Sequence, residues 1–193
     1  MSPTDVVVVP SAPALLPSYA GGSDPVAELR TACRGAVEWL AGRHPDGVAV
    51  VAAAARSDNV DRGMAEPVGT RVARHLLSVA GYRGDLVDAA TGGASAALLV
   101  VANGSATRGE KAPGHLDERA VGFDASIDRA LREGDPAALR ELDPCLGESL
   151  WCHDVPALLS LGRLAPAAST VSVDYAGDPY GVQYWVVRWT CGS

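Results

Sequence analysis

Two patterns of apolar spacing alternate along the chain. Residues 5–10 read Asp-Val-Val-Val-Val-Pro, a continuous β-branched run that predicts a strand buried on both faces. Residues 48–54 and 97–102 repeat that pattern, and residues 85–89 predict a shorter strand. The stretches between them have helical period. After Asp24-Pro25, an N-cap followed by proline at the first helical position, Val26, Leu29, Cys33, Val37 and Leu40 recur at spacings of three and four. That helix is expected to end near Gly42. A polar loop from Arg56 to Glu66 leads to a second helix over 68–80, with Val72, Leu76 and Leu77 inward and Gly81 as its stop.

The second half predicts three helices, over 117–133 (Phe123, Ile127, Leu131), 136–149 after the Asp135-Pro136 start, and 154–162. Two strands close the chain, 170–175 and 182–189, joined by the turn Gly177-Asp178-Pro179-Tyr180-Gly181. Strands alternating with helices and ending in a hairpin imply an α/β fold, a three-layer α/β/α sandwich with a mixed central sheet. No linker, repeat or low-complexity tract interrupts the sequence, so residues 1–193 read as one domain.

Composition narrows the function classes. The chain has 193 residues, 48% of them hydrophobic, and a net charge of −7. That charge argues against nucleic acid or an anionic membrane as partner, since both select a basic face. No apolar run reaches the roughly 20 residues that span a bilayer. Met1-Ser2-Pro3-Thr4-Asp5 lacks the basic residues and long apolar core of a signal peptide, which predicts a cytoplasmic protein. The cysteines Cys33, Cys145, Cys152 and Cys191 form no CxxC pair. Cys33 reads as a small core residue. Cys145 and Cys152-His153 leave a disulfide or metal ligation open.

In an open α/β sheet, ligands bind at the carboxyl ends of the strands. The loops leaving those ends, 10–17, 55–67, 103–115 and 175–184, are therefore the candidate site. The stretch "ANGSATRGEKAPGH" at 102–115 gathers most of the chemistry. Its Gly104-x4-Gly109 has the glycine spacing of a P-loop. However, Glu110 intervenes, Lys111 comes one residue late and Ala112-Pro113 replaces the hydroxyl, which excludes a phosphate cradle of that kind. A second reading is a salt-bridged loop, with Arg108, Glu110 and Lys111 paired to each other or to Asp117 and Glu118. Of the histidines His44, His75, His115 and His153, the last two are better placed for metal, but none forms a helical i, i+4 pair. Gly147-Glu148-Ser149-Leu150-Trp151 lacks the second glycine of a nucleophile elbow, and Ser11, Ser105 and Ser149 have no recognisable His–Asp companion.

Three segments carry a family resemblance: "VVVVPSAPALLP" at 6–17, "ANGSATRGEKAPGHLDERAVGFDASIDRAL" at 102–131 and "DYAGDPYGVQYWV" at 174–186. Together they resemble the LigB-like class III extradiol ring-cleavage dioxygenase superfamily, and most of all its short actinobacterial branch. The resemblance implies the α/β/α fold. In active members it also implies a mononuclear Fe(II) held by two histidines and a carboxylate, with a further histidine as acid/base. Matched by position, those imidazoles are missing. Ser11 stands where the first strand supplies a ligand, and Ala106 stands where the acid/base histidine sits. The second-strand exit reads Ala55-Arg56-Ser57-Asp58-Asn59.

Three functions remain open on the sequence. The first is a divergent pocket protein in which Ser11, Asn103, Ser105, Arg108, Glu110, Lys111 and His115 line a crevice for a small ligand, with no cofactor expected. The second is a metalloenzyme, oxidoreductase or hydrolase, with Fe(II) or Zn on substitute ligands among His115, His153, Asp174 and Asp178. The third is a non-catalytic interaction module or homo-oligomer, using an exposed surface around Trp151, Trp185 and Trp189.

Overall fold

The computed structural model describes residues 2–17, 24–55, 66–89 and 95–192. Their strands are β1 (Asp5–Val9), β2 (Gly47–Ala52), β3 (Asp85–Asp88), β4 (Ala97–Val101), β5 (Ala168–Gly177) and β6 (Tyr184–Cys191). The helices are α1 (Ala27–Arg43), α2 (Val68–Val79), α3 (Arg119–Glu133), α4 (Pro136–Arg140), α5 (Pro144–Ser149) and α6 (Val155–Leu164), with a 3-10 turn at Pro13–Leu15. All six strands join one sheet in the order β3-β2-β4-β1-β6-β5. β1 to β4 run parallel, β6 is antiparallel to β1, and β5 is antiparallel to β6. The sheet is therefore mixed, and parallel strands put loops with a common polarity at one edge.

Burial explains the strand sequences. Every residue of β1 and β4 is buried, as expected of central strands covered on both faces. Edge strand β5 keeps only intermediate and exposed positions. Two apolar clusters flank the sheet. One packs Leu29, Cys33, Val37, Leu40, Val72 and Leu76 of α1 and α2 against Val7, Val9, Leu99 and Val101. The other packs Phe123, Ile127, Leu131, Leu139, Leu158 and Leu161 of α3, α4 and α6 against Val6, Val8, Leu98 and Val100. Alternate residues of one strand thus serve opposite layers, which gives the α/β/α sandwich its two cores.

Local chemistry refines several boundaries. The helix expected over 136–149 is two helices, because Asp143 accepts from the Cys145 N–H and Pro144 restarts the chain at a new N-terminus. Asp135 caps α4 in the same way, accepting from Ala137 and Ala138 N–H. The first helix starts at Ala27, since Asp24 is turned onto the Val26 N–H and Arg30. Most of the loop read from Arg56 to Glu66 lies outside the described residues. The cysteines are all free: Cys33, Cys152 and Cys191 are buried, and Cys145 is exposed, so Cys145 and Cys152 form no disulfide.

Two tryptophans proposed for an interaction surface are core residues. Trp185 and Trp189 are 1% and 0% exposed. Their indole N–H groups donate to Asp128 Oδ1 at 2.9 Å and to the Leu131 carbonyl at 2.8 Å, locking β6 to α3. Inward alternation along β6 buries the rings, and a buried indole N–H needs such a partner. Among the described residues, no helix is long and apolar enough to cross a membrane.

Candidate functional site

β1, β2 and β4 deliver their following loops to one end of the sheet, and a cavity of about 470 Å³ opens there. Its size is that of a small-ligand site, which typically spans about 300–1,000 Å³. Ser11 and Pro13 come from the β1 exit, Ala53 to Ala55 from the β2 exit, and Asn103 and Ala106 from the β4 exit. The start of α2 forms one wall. There Gly69 lies so close to Ala52 that a Cβ would approach its Cβ within 2.9 Å. Trp151, His153 and Asp154, from the connection between α5 and α6, form another wall.

The strand-exit loop resolves by alternation. Beyond β4, the Asn103 N–H donates to Asp154 Oδ2 at 3.0 Å, and the Ser105 N–H donates to Asp124 Oδ1 at 2.8 Å. Each aspartate is also bound by a serine. Ser11 Oγ donates to Asp154 Oδ2, and Ser105 Oγ donates to Asp124 Oδ2 at 2.6 Å. Successive odd residues thus reach carboxylates on opposite sides of the loop.

The Asp124 side is closed. Ser105 and Asp124 are 0% and 2% exposed, and Arg108 bridges Asp124 at 3.0 Å and Asp178 at 2.7 Å. Burial pushes the Asp124 carboxyl upward, opposed by the Ser105 hydrogen bonds and by Arg108. Ser105 and Arg108 therefore tie the loop to α3 and the β5–β6 hairpin. They are not among the groups lining the cavity. The salt-bridged reading of the loop holds for Arg108 through these distant partners rather than through loop neighbours.

The Asp154 side is open. Asp154 sits at the N-cap of α6, yet its side chain makes no capping bond to that helix. An N-cap aspartate ordinarily accepts from the first-turn N–H groups; this one is turned to Ser11 and Asn103 instead. Its Oδ1 makes no hydrogen bond among the described residues. Burial pushes the carboxyl above its ordinary range, against the hydrogen bonds from Ser11 and Asn103 and the nearby His153. The side-chain Oδ1 of Asn103 is buried and also has no hydrogen-bond partner among the described residues. Sequence reasoning missed Asp154. Its only local signal, Asp-Val-Pro at a helix start, advertises a cap and not a cavity residue.

The other candidates disperse. Glu110, Lys111 and His115 are exposed. Lys111 lines a separate depression of about 610 Å³ beside Tyr180, and His115 takes a left-handed backbone at φ 59°. Asp174 is bound in a two-pronged pair by Arg188, Asp178 pairs with Arg108, and His153 Nδ1 lies 3.2 Å from Glu148. Among the described residues, no three His, Cys, Asp or Glu side chains converge into a group that could hold a metal. At the two strand exits that are described, the residues present are not donors of the kind Fe(II) takes. Ser11 is engaged with Asp154, and Ala106 lines the cavity without a proton to exchange. Residues 56–59 of the second-strand exit lie outside the described residues.

Trp151 has an unusual setting. It is 49% exposed, and its backbone is left-handed at φ 56°, a conformation that strains a bulky residue. The indole lies against Gly114, where a Cβ would sit 2.9 Å from its Cγ and 2.6 Å from Thr107 Cγ2. Backbone bonds from Ala106 N to the Leu150 carbonyl and from Gly114 N to the Ala106 carbonyl knit the two segments together.

Larger hollows exist, but they have other surroundings. One of about 610 Å³ runs between α1 and the β5–β6 edge, where Asp174 and Arg188 are already paired with each other. Among the described residues, the strand-end cavity has a buried polar atom without a hydrogen-bond partner in its lining, Asn103 Oδ1. Neither a protein-family model nor a curated protein matches the chain.

Proposed function

We propose that this chain is a divergent extradiol-dioxygenase-like protein that keeps the strand-end crevice as a small-molecule site and has lost iron-dependent ring cleavage. The observation carrying this reading is the cavity of about 470 Å³ whose polar wall is the Ser11–Asp154–Asn103 cluster, with one carboxylate oxygen left open. A serine and an alanine at the positions that the resemblance assigns to imidazoles supply neither a ligand for Fe(II) nor an acid/base. The apolar walls and few convergent polar groups are those of a site that orients a ligand.

The test is ligand-observed NMR on the purified full chain with single-ring organic compounds. Saturable binding that is lost in a folded Ala106→Phe variant, which fills the cavity, is the expected result. No saturable binding, or stoichiometric iron in untreated protein with ring-cleavage activity, would overturn the proposal.

A further inference from the structure

We infer that the cavity takes a planar organic cation, its ring lying on Trp151 and its charged N–H group on Asp154. The inference rests on the reading of the cavity as a small-molecule site and adds the chemical class of its ligand. Two independent features converge on it.

The first is the placement of Trp151. Half of this residue faces outward, so core burial does not account for its position. Its backbone is nevertheless held left-handed, and Gly114, without a Cβ, leaves room for the indole beside the loop. An aromatic face held at a cavity wall is a stacking platform, and its quadrupole attracts cations.

The second is the diverted cap. Asp154 Oδ2 is fixed by Ser11 Oγ and the Asn103 N–H, which among the described residues leaves Oδ1 as an oriented acceptor. A carboxylate held this way in a partly dry wall selects a donor that carries positive charge. Of the other charged groups lining the cavity, Glu66 is paired with Arg74 and His153 is engaged with Glu148, while Arg71 stands on the α2 side, across from the Trp151–Asp154 wall. The net charge of −7 also draws cations toward the chain.

Benzamidine is the probe, with isosteric neutral benzamide and anionic benzoate beside it, measured by calorimetry on the full chain. Benzamidine is expected to bind at least tenfold more tightly than benzoate. Trp151→Ala and Asp154→Asn should each weaken benzamidine at least fivefold, with folding verified by circular dichroism. Asp154→Asn should also erase the preference over benzamide. Benzoate binding as tightly as benzamidine, or benzamidine affinity unchanged in both variants, overturns the inference. If benzamide and benzoate bind saturably in the cavity without charge preference, the cation inference falls while the small-molecule site stands. If none of the three binds, and no other ring compound does, both fall.

Discussion

Two serine–aspartate pairs flank the same strand exit, and they differ in one partner. Ser105–Asp124 and Ser11–Asp154 each combine a serine hydroxyl with a backbone N–H from the loop after β4. In both, burial pushes the carboxyl upward. Arg108 closes the first pair and joins it to Asp178, whereas the second is paired with no guanidinium among the described residues and faces a cavity. A buried carboxylate with every acceptor site filled is a structural clamp. The same group with an open oxygen is a recognition element. The contrast makes the first pair a structural clamp and leaves the second as the polar wall on which the proposed binding rests.

The largest expected effect tests the clamp. Asp124→Ala should destabilise the fold by about 3 kcal/mol or more, because it leaves Ser105 and Arg108 without their buried partner. Asp154→Asn should cost no more than about 1 kcal/mol, since the isosteric amide can keep one acceptor for Ser11 and Asn103. Urea unfolding of both variants checks the difference, and equal losses would erase the division of labour. Next in size, Gly114→Ala should cost about 1–3 kcal/mol by forcing a methyl against Thr107 and Trp151. It should also weaken any ring ligand of the cavity, which calorimetry would read.

Trp151→Gly should change stability by no more than about 1 kcal/mol, because relief of the left-handed strain offsets lost packing. A large loss in urea unfolding would mean that the ring serves the fold rather than the cavity.

The smallest effect is in pH dependence. Asp154 titrates higher in the folded chain than in the unfolded one, so the folded state holds its proton more tightly and ionisation disfavours folding. That penalty grows as pH rises above the ordinary value of 3.8. Asp154→Asn should therefore gain stability relative to the parent as pH rises above 3.8. Asp5, at the opposite end of the sheet, has the opposite sign. Burial pushes it up, but Arg43 and His44 outweigh that and hold it below 3.8, so its contribution is present above that value and fades as pH falls. Urea unfolding at stepped pH would separate the two.

How much of this was legible in the sequence follows from the range of the forces involved. The β-branched run of β1, the apolar stripe of α1 and the caps at Asp135 and Asp143 are local, and each marks its element directly. Ser11 and Asn103 were legible as cavity residues because parallel strands deliver their exits to one edge. Arg108 was misleading. It read as a crevice residue or as the partner of near neighbours such as Asp117 and Glu118, yet its partners Asp124 and Asp178 lie 16 and 70 positions away. Trp185 and Trp189 misled likewise, because the face that a closing strand buries depends on the helix it meets.

The sequence by itself determined the layer architecture, the mixed sheet and the edge where a site would form, since spacing and capping act within a few residues. Only the tertiary structure decided which polar groups are used up and which stay open. Asp154 is 143 positions from Ser11 and 51 from Asn103. No local pattern announces that a helix-capping carboxylate has left its helix. Long-range packing turned that side chain into the polar wall of a cavity and turned the loop's most conspicuous cation into a clamp.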